Sequence, residues 1–274
     1  MSKTIFITGA SKGFGRLWAE ALLEQGNNVA ATARNISTLD DLKAKYGDQI
    51  LPLKLDVNNR QEVFETVDTI EKHFGKIDVL INNAGYGLFG TVEETTEQQA
   101  REQMETNFFG SLWVSQAVLP IMRKQKSGHI IQISSFLGLT TLPLLGLYNA
   151  SKFAIEGLIE TVGTETAHLG IKTTLVEPNG YATDWAGASA IQTSADISDY
   201  NPVREAFAKS GDNPDTWGKP EATVQPVLDI INSENPPRRL LLGKLAYHMI
   251  HQMYTDRLQE VEDWKDVSIT AHGH

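Results

Sequence analysis

A chain of 274 residues with 24 Lys and Arg against 34 Asp and Glu carries a formal charge of −10 and is 41% apolar. That is the composition of a globular protein long enough for one large domain or two small ones. The acidic surplus argues against nucleic acid as a partner, because neutralising phosphates takes an excess of Lys and Arg. The absence of cysteine excludes disulfides, thiolate nucleophiles and cysteine-based metal centres. No apolar run approaches the ~18 residues of a membrane span. The chain enters a strand-like run without a leader pattern, which predicts a cytoplasmic protein.

Residues 4–8 read as a first buried strand and 15–25 as the helix after it, with Leu17, Ala21 and Leu22 at helical spacing and Gly26 as a left-handed stop. The runs 28–33, 50–55, 77–82, 129–133 and 172–177 also read as buried strands, several of them nearly continuous in Ile, Val and Leu, as parallel strands covered on both faces require. Helical patterns at 60–74, where Val63, Val67 and Ile70 share a face, at 97–123 and at 148–169 separate them. Strict alternation with right-handed crossovers predicts an α/β protein: one Rossmann-type domain over 1–274, a doubly wound parallel sheet with helices on both faces and a cofactor-binding core over 1–178. From 180 to 220 the pattern weakens into small and polar residues with Trp185, Tyr200, Phe207 and Trp217, the composition of a substrate lid. A helix at 221–232, a short strand at 239–242 and an amphipathic helix at 244–264 follow. The last carries Ile250, Met253, Tyr254, Leu258 and Val261 on one side, and the tail past Val267 is expected to be loose.

The first strand runs into Gly9-Ala10-Ser11-Lys12-Gly13-Phe14-Gly15, which opens a helix. Glycines there allow a tight turn and a close backbone approach to a pyrophosphate, which sits on the helix amino terminus. An ordinary strand-to-helix turn is the plainer alternative; the strand, loop and helix context favours the dinucleotide. At the end of the second strand, where an acidic residue often meets the adenosine ribose, stands Arg34. A guanidinium pairs with a 2′-phosphate where a carboxylate would repel it, and Lys12 adds a second positive charge, so NADP(H) is expected over NAD(H).

Tyr148 and Lys152 lie one helical turn apart on one face. A nearby ammonium stabilises a phenolate, which makes Tyr148 a proton donor in carbonyl reduction and an acceptor in reverse. Ser135 follows the strand at 129–133, at the carboxyl end where ligands of open α/β sheets bind. Taken singly, each is an unremarkable surface pair or loop serine.

Together, Thr8 to Gly15, Asp56, Asn82-Asn-Ala-Gly85, Asn107, Ser135, Tyr148-Asn-Ala-Ser-Lys152 and Pro178 to Thr183 occur in one order. Over roughly residues 3–184 the chain resembles the short-chain dehydrogenase/reductase family, in particular its carbonyl reductase and hydroxysteroid- or retinol-dehydrogenase-like members. The resemblance implies Tyr148 as acid/base, Lys152 on the nicotinamide ribose lowering the tyrosine pKa, Ser135 polarising the carbonyl, and Asn107 holding a water that relays protons through Lys152. It places Asp56 and Val57 at the adenine, Asn83 around the adenosine ribose, and Tyr181 to Thr183 at the carboxamide. It also implies a homodimer or homotetramer through the helices at 97–123 and 148–169. One departure is visible: the family's Pro-Gly reads Pro178-Asn179-Gly180, where Asn tolerates the positive φ of a bend better than most residues. Phe14, where Ile or Leu is common, is expected mainly to pack.

Phe136, Leu137, Leu139, Leu142, Leu144, Leu145 and Leu147, beside Ser135, read as an apolar substrate cleft or as plain core and lid packing. His248 and His251 are three apart but lack a third ligand, and His272 and His274 are tail residues, so no metal is expected. Glu93, Glu94 and Glu97 favour the positive end of the helix at 97–123. The expected function is NADP(H)-dependent interconversion of a carbonyl and an alcohol on an apolar small molecule. A catalytically idle dinucleotide sensor or scaffold would be expected to lose Tyr148, Lys152 or Ser135, and all are present. A nucleotide-sugar epimerase or dehydratase typically has a longer substrate domain and a different glycine spacing.

Overall fold

The computed structural model describes the chain except Met1, Ala186, Ala188, Ser189, Asp212, Pro214, Asp215 and His274. Its strands are β1 (Thr4–Ile7), β2 (Asn28–Ala33), β3 (Ile50–Lys54), β4 (Val79–Asn82), β5 (Leu88–Phe89), β6 (Gly128–Ile133), β7 (Ile171–Pro178), β8 (Ile191–Gln192) and β9 (Arg239–Leu242). Seven of them form one sheet in the order β3-β2-β1-β4-β6-β7-β9, with every pairing parallel. The helices are α1 (Gly13–Glu24), α2 (Asp40–Tyr46), α3 (Arg60–Phe74), α4 (Glu97–Met104), α5 (Ser111–Gln125), α6 (Gly146–Thr166), α7 (Asn201–Gly211), α8 (Val224–Asn232), α9 (Lys244–Asp263) and α10 (Lys265–Thr270).

Strand alternation divides the core into two layers. Ile5 and Ile7 of β1 pack with Val29, Ile81, Trp18 and Leu22 under α1 and α8. Phe6 between them points the other way, into Leu80, Ile130, Val63, Val118 and Ile159 under α3, α5 and α6. Burial of each such side chain contributes about 1.5–3 kcal/mol. β1 pairs with β2 on one side and β4 on the other, so the chain diverges beyond their carboxyl ends and opens the crevice where such sheets bind ligands.

Several details differ from the sequence reading. The helix at 97–123 is two helices joined by a π turn, Glu105–Gly110, and this turn carries Asn107. α2 and α7 went unread because both are short and polar, α7 lying inside the stretch read as lid. The β5–β8 pair ties that stretch to the segment after β4. The tail expected to be loose is helical through Thr270, although it stays exposed. The positive φ expected at Asn179 is absent. Asn179 donates its backbone N–H to the Leu242 carbonyl at 2.9 Å, continuing the β7–β9 pairing, and its side-chain amide fills the space that a side chain at Gly243 would take.

Candidate active site

β6 ends at Ile133 and delivers Ser134 and Ser135 to the carboxyl edge of the sheet. Ser135 is buried; its hydroxyl accepts the Leu137 amide at 3.1 Å and donates to the Pro178 carbonyl at 3.4 Å. α6 presents Tyr148 and Lys152, both buried, on its inner face. The Ser135 hydroxyl favours the Tyr148 phenolate, but burial still holds the Tyr148 pKa well above the usual phenol range. Lys152 Nζ donates to the Ile133 carbonyl at 2.9 Å and stands 5.6 Å from the centre of the Tyr148 ring. The expected lowering of the tyrosine pKa by Lys152 is not what this geometry gives: burial dominates, and the neighbouring Ser135 hydroxyl opposes it. Lys152 itself is pushed down to about 8 by burial, against the pull of Glu156 one turn further on.

Asn107 joins this group through the π turn. Its Nδ2 donates to the Tyr86 carbonyl at 3.0 Å and to Ser151 Oγ at 3.2 Å, and its Oδ1 accepts the Tyr86 amide at 3.1 Å. The side chain therefore clamps the segment after β4 to α6. Gly85 makes the approach possible: a Cβ there would stand 3.1 Å from Asn107 Oδ1.

The glycine loop lies across the crevice. Gly9 and Gly13 have φ of 68° and 57°, which side chains rarely adopt. A Cβ on Gly15 would collide with the Gly9 carbonyl and come within 2.6 Å of Asn83 Nδ2. Asn83 Nδ2 donates to the Thr8 and Gly9 carbonyls at 2.9 and 3.0 Å, so Asn83 braces the loop from beneath. Phe14 stacks on Trp18 with ring centres 5.0 Å apart and meets Tyr181 edge-on at 5.1 Å. Ser11 is half-buried in the loop, and Thr183 faces Gly13 from the segment after β7. Lys12 pairs with Asp184 of that same segment. Arg34 is exposed at the end of β2, and Asn35 beside it caps the next turn through Ser37. Asp56, half-buried after β3, accepts the Asn58 amide at 3.0 Å, and buried Val57 packs against Gly110.

Of the aromatics from 180 to 220, two close on the site. Trp185 lies 4.9 Å from the Tyr148 ring and 5.4 Å from Phe89, and Phe207 follows at 6.4 Å from Phe89. Tyr200 instead bonds Glu93 at 2.7 Å, and Trp217 bonds the Gly211 carbonyl. Phe136, Leu137, Leu139 and Leu145 are buried with Tyr148, Ala246 and Ile250, so these four fill a small core beneath α9. Glu94, read as a helix-end charge, pairs with Arg204 of α7 at 2.5 Å and ties α7 to the segment before α4. Among the described residues no group of three or more His, Asp or Glu is placed to hold a metal ion, and His274 lies outside them. The sequence reading missed the partners rather than the centre: Ser151, the Tyr86 backbone, Asp184, and a buried group of Glu156, Glu177 and Arg239. The one signal available was the four-residue step from Lys152 to Glu156.

The family model described as short chain dehydrogenase matches residues 3–207. The chain is 38% identical over 279 aligned positions to Oxidoreductase BOA17 of Botryotinia fuckeliana, covering 99% of this chain and 100% of that one. It is 37% identical to the 3-ketodihydrosphingosine reductase of Bacteroides thetaiotaomicron, covering 88% of each. A short-chain dehydrogenase structure from Streptomyces avermitilis superposes with a TM-score of 0.91 at 33% identity, over 98% of both chains. A second, from Burkholderia cenocepacia, was solved in complex with NADP; it has a TM-score of 0.77 at 25% identity over 96% and 97%. No helix among the described residues is long and apolar enough to cross a membrane. With the sheet order, the glycine loop and the Ser135, Tyr148 and Lys152 group all in their places, the chain belongs to the short-chain dehydrogenase family of oxidoreductases.

Proposed function

We propose that the protein is an NADP(H)-dependent oxidoreductase interconverting a ketone or aldehyde and the matching alcohol on an apolar small molecule. The observation that carries this reading is the meeting of the Tyr148 phenol with the Ser135 hydroxyl beneath Trp185, with buried Lys152 one turn on. A carbonyl oxygen seated between the two hydroxyls accepts a hydrogen bond from each. Tyr148 then passes its proton to that oxygen, the phenol O–H breaking as the alcohol O–H forms. Its raised pKa keeps it protonated, which suits reduction. Lys152, on the same helix face, balances the charge left on the phenolate.

The residues present fit a dinucleotide. Gly9, Gly13 and Gly15 leave a backbone hollow at the start of α1, whose first-turn amides no side chain caps, the donor set that takes a pyrophosphate. When bound, the nicotinamide supplies or accepts the hydride. Arg34 is exposed and enters no ion pair among the described residues, which suits a 2′-phosphate at the end of β2, with Lys12 at the other edge of the loop. Asp56 and Val57 would border the adenine, and Tyr181 and Thr183 the nicotinamide end. Phe89, Trp185 and Phe207 give the substrate side its apolar character. Exposed Val92 and Phe153, the latter on α6, suit a homodimer contact, and the cytoplasm suits a cysteine-free chain.

NADPH consumption measured across aldehydes, aliphatic and aryl ketones, quinones and ketosteroids tests the reading. Turnover of bulky apolar carbonyls is expected, with near-complete loss in Tyr148→Phe and retained NADPH binding. Comparable rates in that variant would refute the acid/base role.

A further inference from the structure

α6 sets Tyr148, Lys152, Glu156 and Glu160 one turn apart in succession, and the second half of this row is as elaborately held as the first. Glu156 is buried under the loop that follows Ser135, in a space left by Gly138; a Cβ on Gly138 would come within 2.8 Å of Glu156 Cγ and of Ser134 Oγ. Glu177, fully buried on β7, stands next to Pro178, whose carbonyl receives the Ser135 hydroxyl. Arg239 reaches in from edge strand β9 and donates to Glu156, to Glu177 at 2.5 Å and to Glu160 at 2.7 Å.

One guanidinium thus faces three carboxylates, two of them buried. Glu160 is half in water and screened, which leaves Glu156 and Glu177 sharing Arg239. Glu177 Oε2 lacks a hydrogen-bond partner, while Glu156 Oε1 has the otherwise unpartnered Ser134 hydroxyl beside it. One Arg239 nitrogen serves both carboxylates, and like carboxylates in a dry site do not both ionise, so the pair retains one proton. Burial pushes both carboxyls above the ordinary range, in keeping with that proton. The remaining negative charge lies one turn behind Lys152, where Glu156 acts on its ammonium. The charged and titratable groups around this pair are Tyr148 and Glu160 from α6, Glu177 from β7 and Arg239 from β9.

We propose that Glu156 is a positioning residue for proton transfer: clamped by Arg239 and sharing a proton with Glu177, it holds the buried Lys152 amine in its charged form. This rests on the reading of Tyr148 and Lys152 as the proton-transfer pair. Among the described residues Lys152 has one backbone carbonyl as hydrogen-bond partner and no contact ion pair, so a charge at Glu156 is what opposes its desolvation.

The experiment compares wild type, Glu156→Gln and Glu177→Gln in two pH profiles: kcat/KM for a carbonyl that the wild type reduces, and NADPH affinity by fluorescence titration. In Glu156→Gln the alkaline fall of both is expected to move down by about one pH unit, a roughly fivefold loss at pH 8 that approaches tenfold above about pH 9. Glu177→Gln, which mimics the protonated acid, is expected to leave both in place, and Glu156→Asp to restore them in part. If Glu156→Gln does not fold, Glu156→Asp carries the test through a smaller shift in the same direction. A uniform loss at every pH without a shift, or an unmoved profile, overturns the proposal while leaving the oxidoreductase reading intact. A wild type that neither binds NADPH nor reduces any carbonyl overturns both.

Discussion

Arg239→Met isolates the cation of the buried carboxylate group while keeping much of its apolar stem. In the native protein the guanidinium touches Glu156 and Glu177, both buried, and exposed Glu160. Removing one partner of a buried ion pair costs about 3–5 kcal/mol when the other charge is stranded. Here the stranded groups can escape by taking up protons, so the cost depends on pH, and its sign follows from the raised carboxyl pKa values. A carboxyl whose folded pKa lies above its unfolded one contributes stability fully at acid pH and loses it as pH rises. If the variant retains one more carboxyl proton than the wild type, its stability falls by about 1.4 kcal/mol more per pH unit. From pH 5.5 to 8.5 the excess reaches up to about 4 kcal/mol, which agrees with the range for a broken buried pair. Urea denaturation at those two pH values measures it: a small difference from wild type at the lower pH and one of about 3–4 kcal/mol at the higher are expected. A loss that is equal at both pH values, or below about 1 kcal/mol at pH 8.5, would mean that the two carboxylates do not depend on Arg239.

Arg34→Asp is expected to weaken NADPH and not NADH, by the ~1.5–3 kcal/mol of a charge-assisted contact, and parallel titrations of the two measure it; unchanged relative affinities would move the phosphate elsewhere. Gly15→Ala drives a methyl into the Gly9 carbonyl and the Asn83 amide, so a stability loss of about 1–3 kcal/mol is expected with a larger loss of dinucleotide affinity, while Gly157→Ala, with ordinary helical backbone and open space around it, serves as control. Lys152, charged below about 8, sets an alkaline limit: Tyr148-dependent reduction is expected to fall as pH rises through that value, and a rate that holds flat to pH 9.5 would remove the ammonium from the mechanism.

What the sequence made legible followed from local rules. Parallel strands buried on both faces must be apolar throughout, so β1, β4 and β6 announced themselves, and their alternation with helices implied the sheet. The central group was equally readable, because Tyr148 and Lys152 are neighbours on one helix and the glycine loop is contiguous. Nothing local marks the π turn at Asn107: a window of helical residues has the same apolar period whether or not one turn widens. Asn179 failed differently. Its expected positive φ was inferred from a residue type, whereas the residue is held by a partner far along the sequence, the Leu242 carbonyl of β9, which keeps it in the strand pairing.

The same distinction explains the buried charges. Glu156, Glu177 and Arg239 come from a helix, a central strand and an edge strand, so no spacing in the chain links them. Read singly, each is an ordinary charged residue, and one on the strand before Pro178 would pass for an exposed strand end. Assembled, they place ionisable groups in a core where each would be costly alone, which a fold keeps only if every partner is supplied. Gly138 supplies the room, Arg239 the cation and, by the charge balance, one proton the missing donor. Because this cluster sits one turn from Lys152 and one residue from the carbonyl that receives Ser135, its protonation and the acid/base chemistry of Tyr148 are coupled through contacts no longer than a single helical turn.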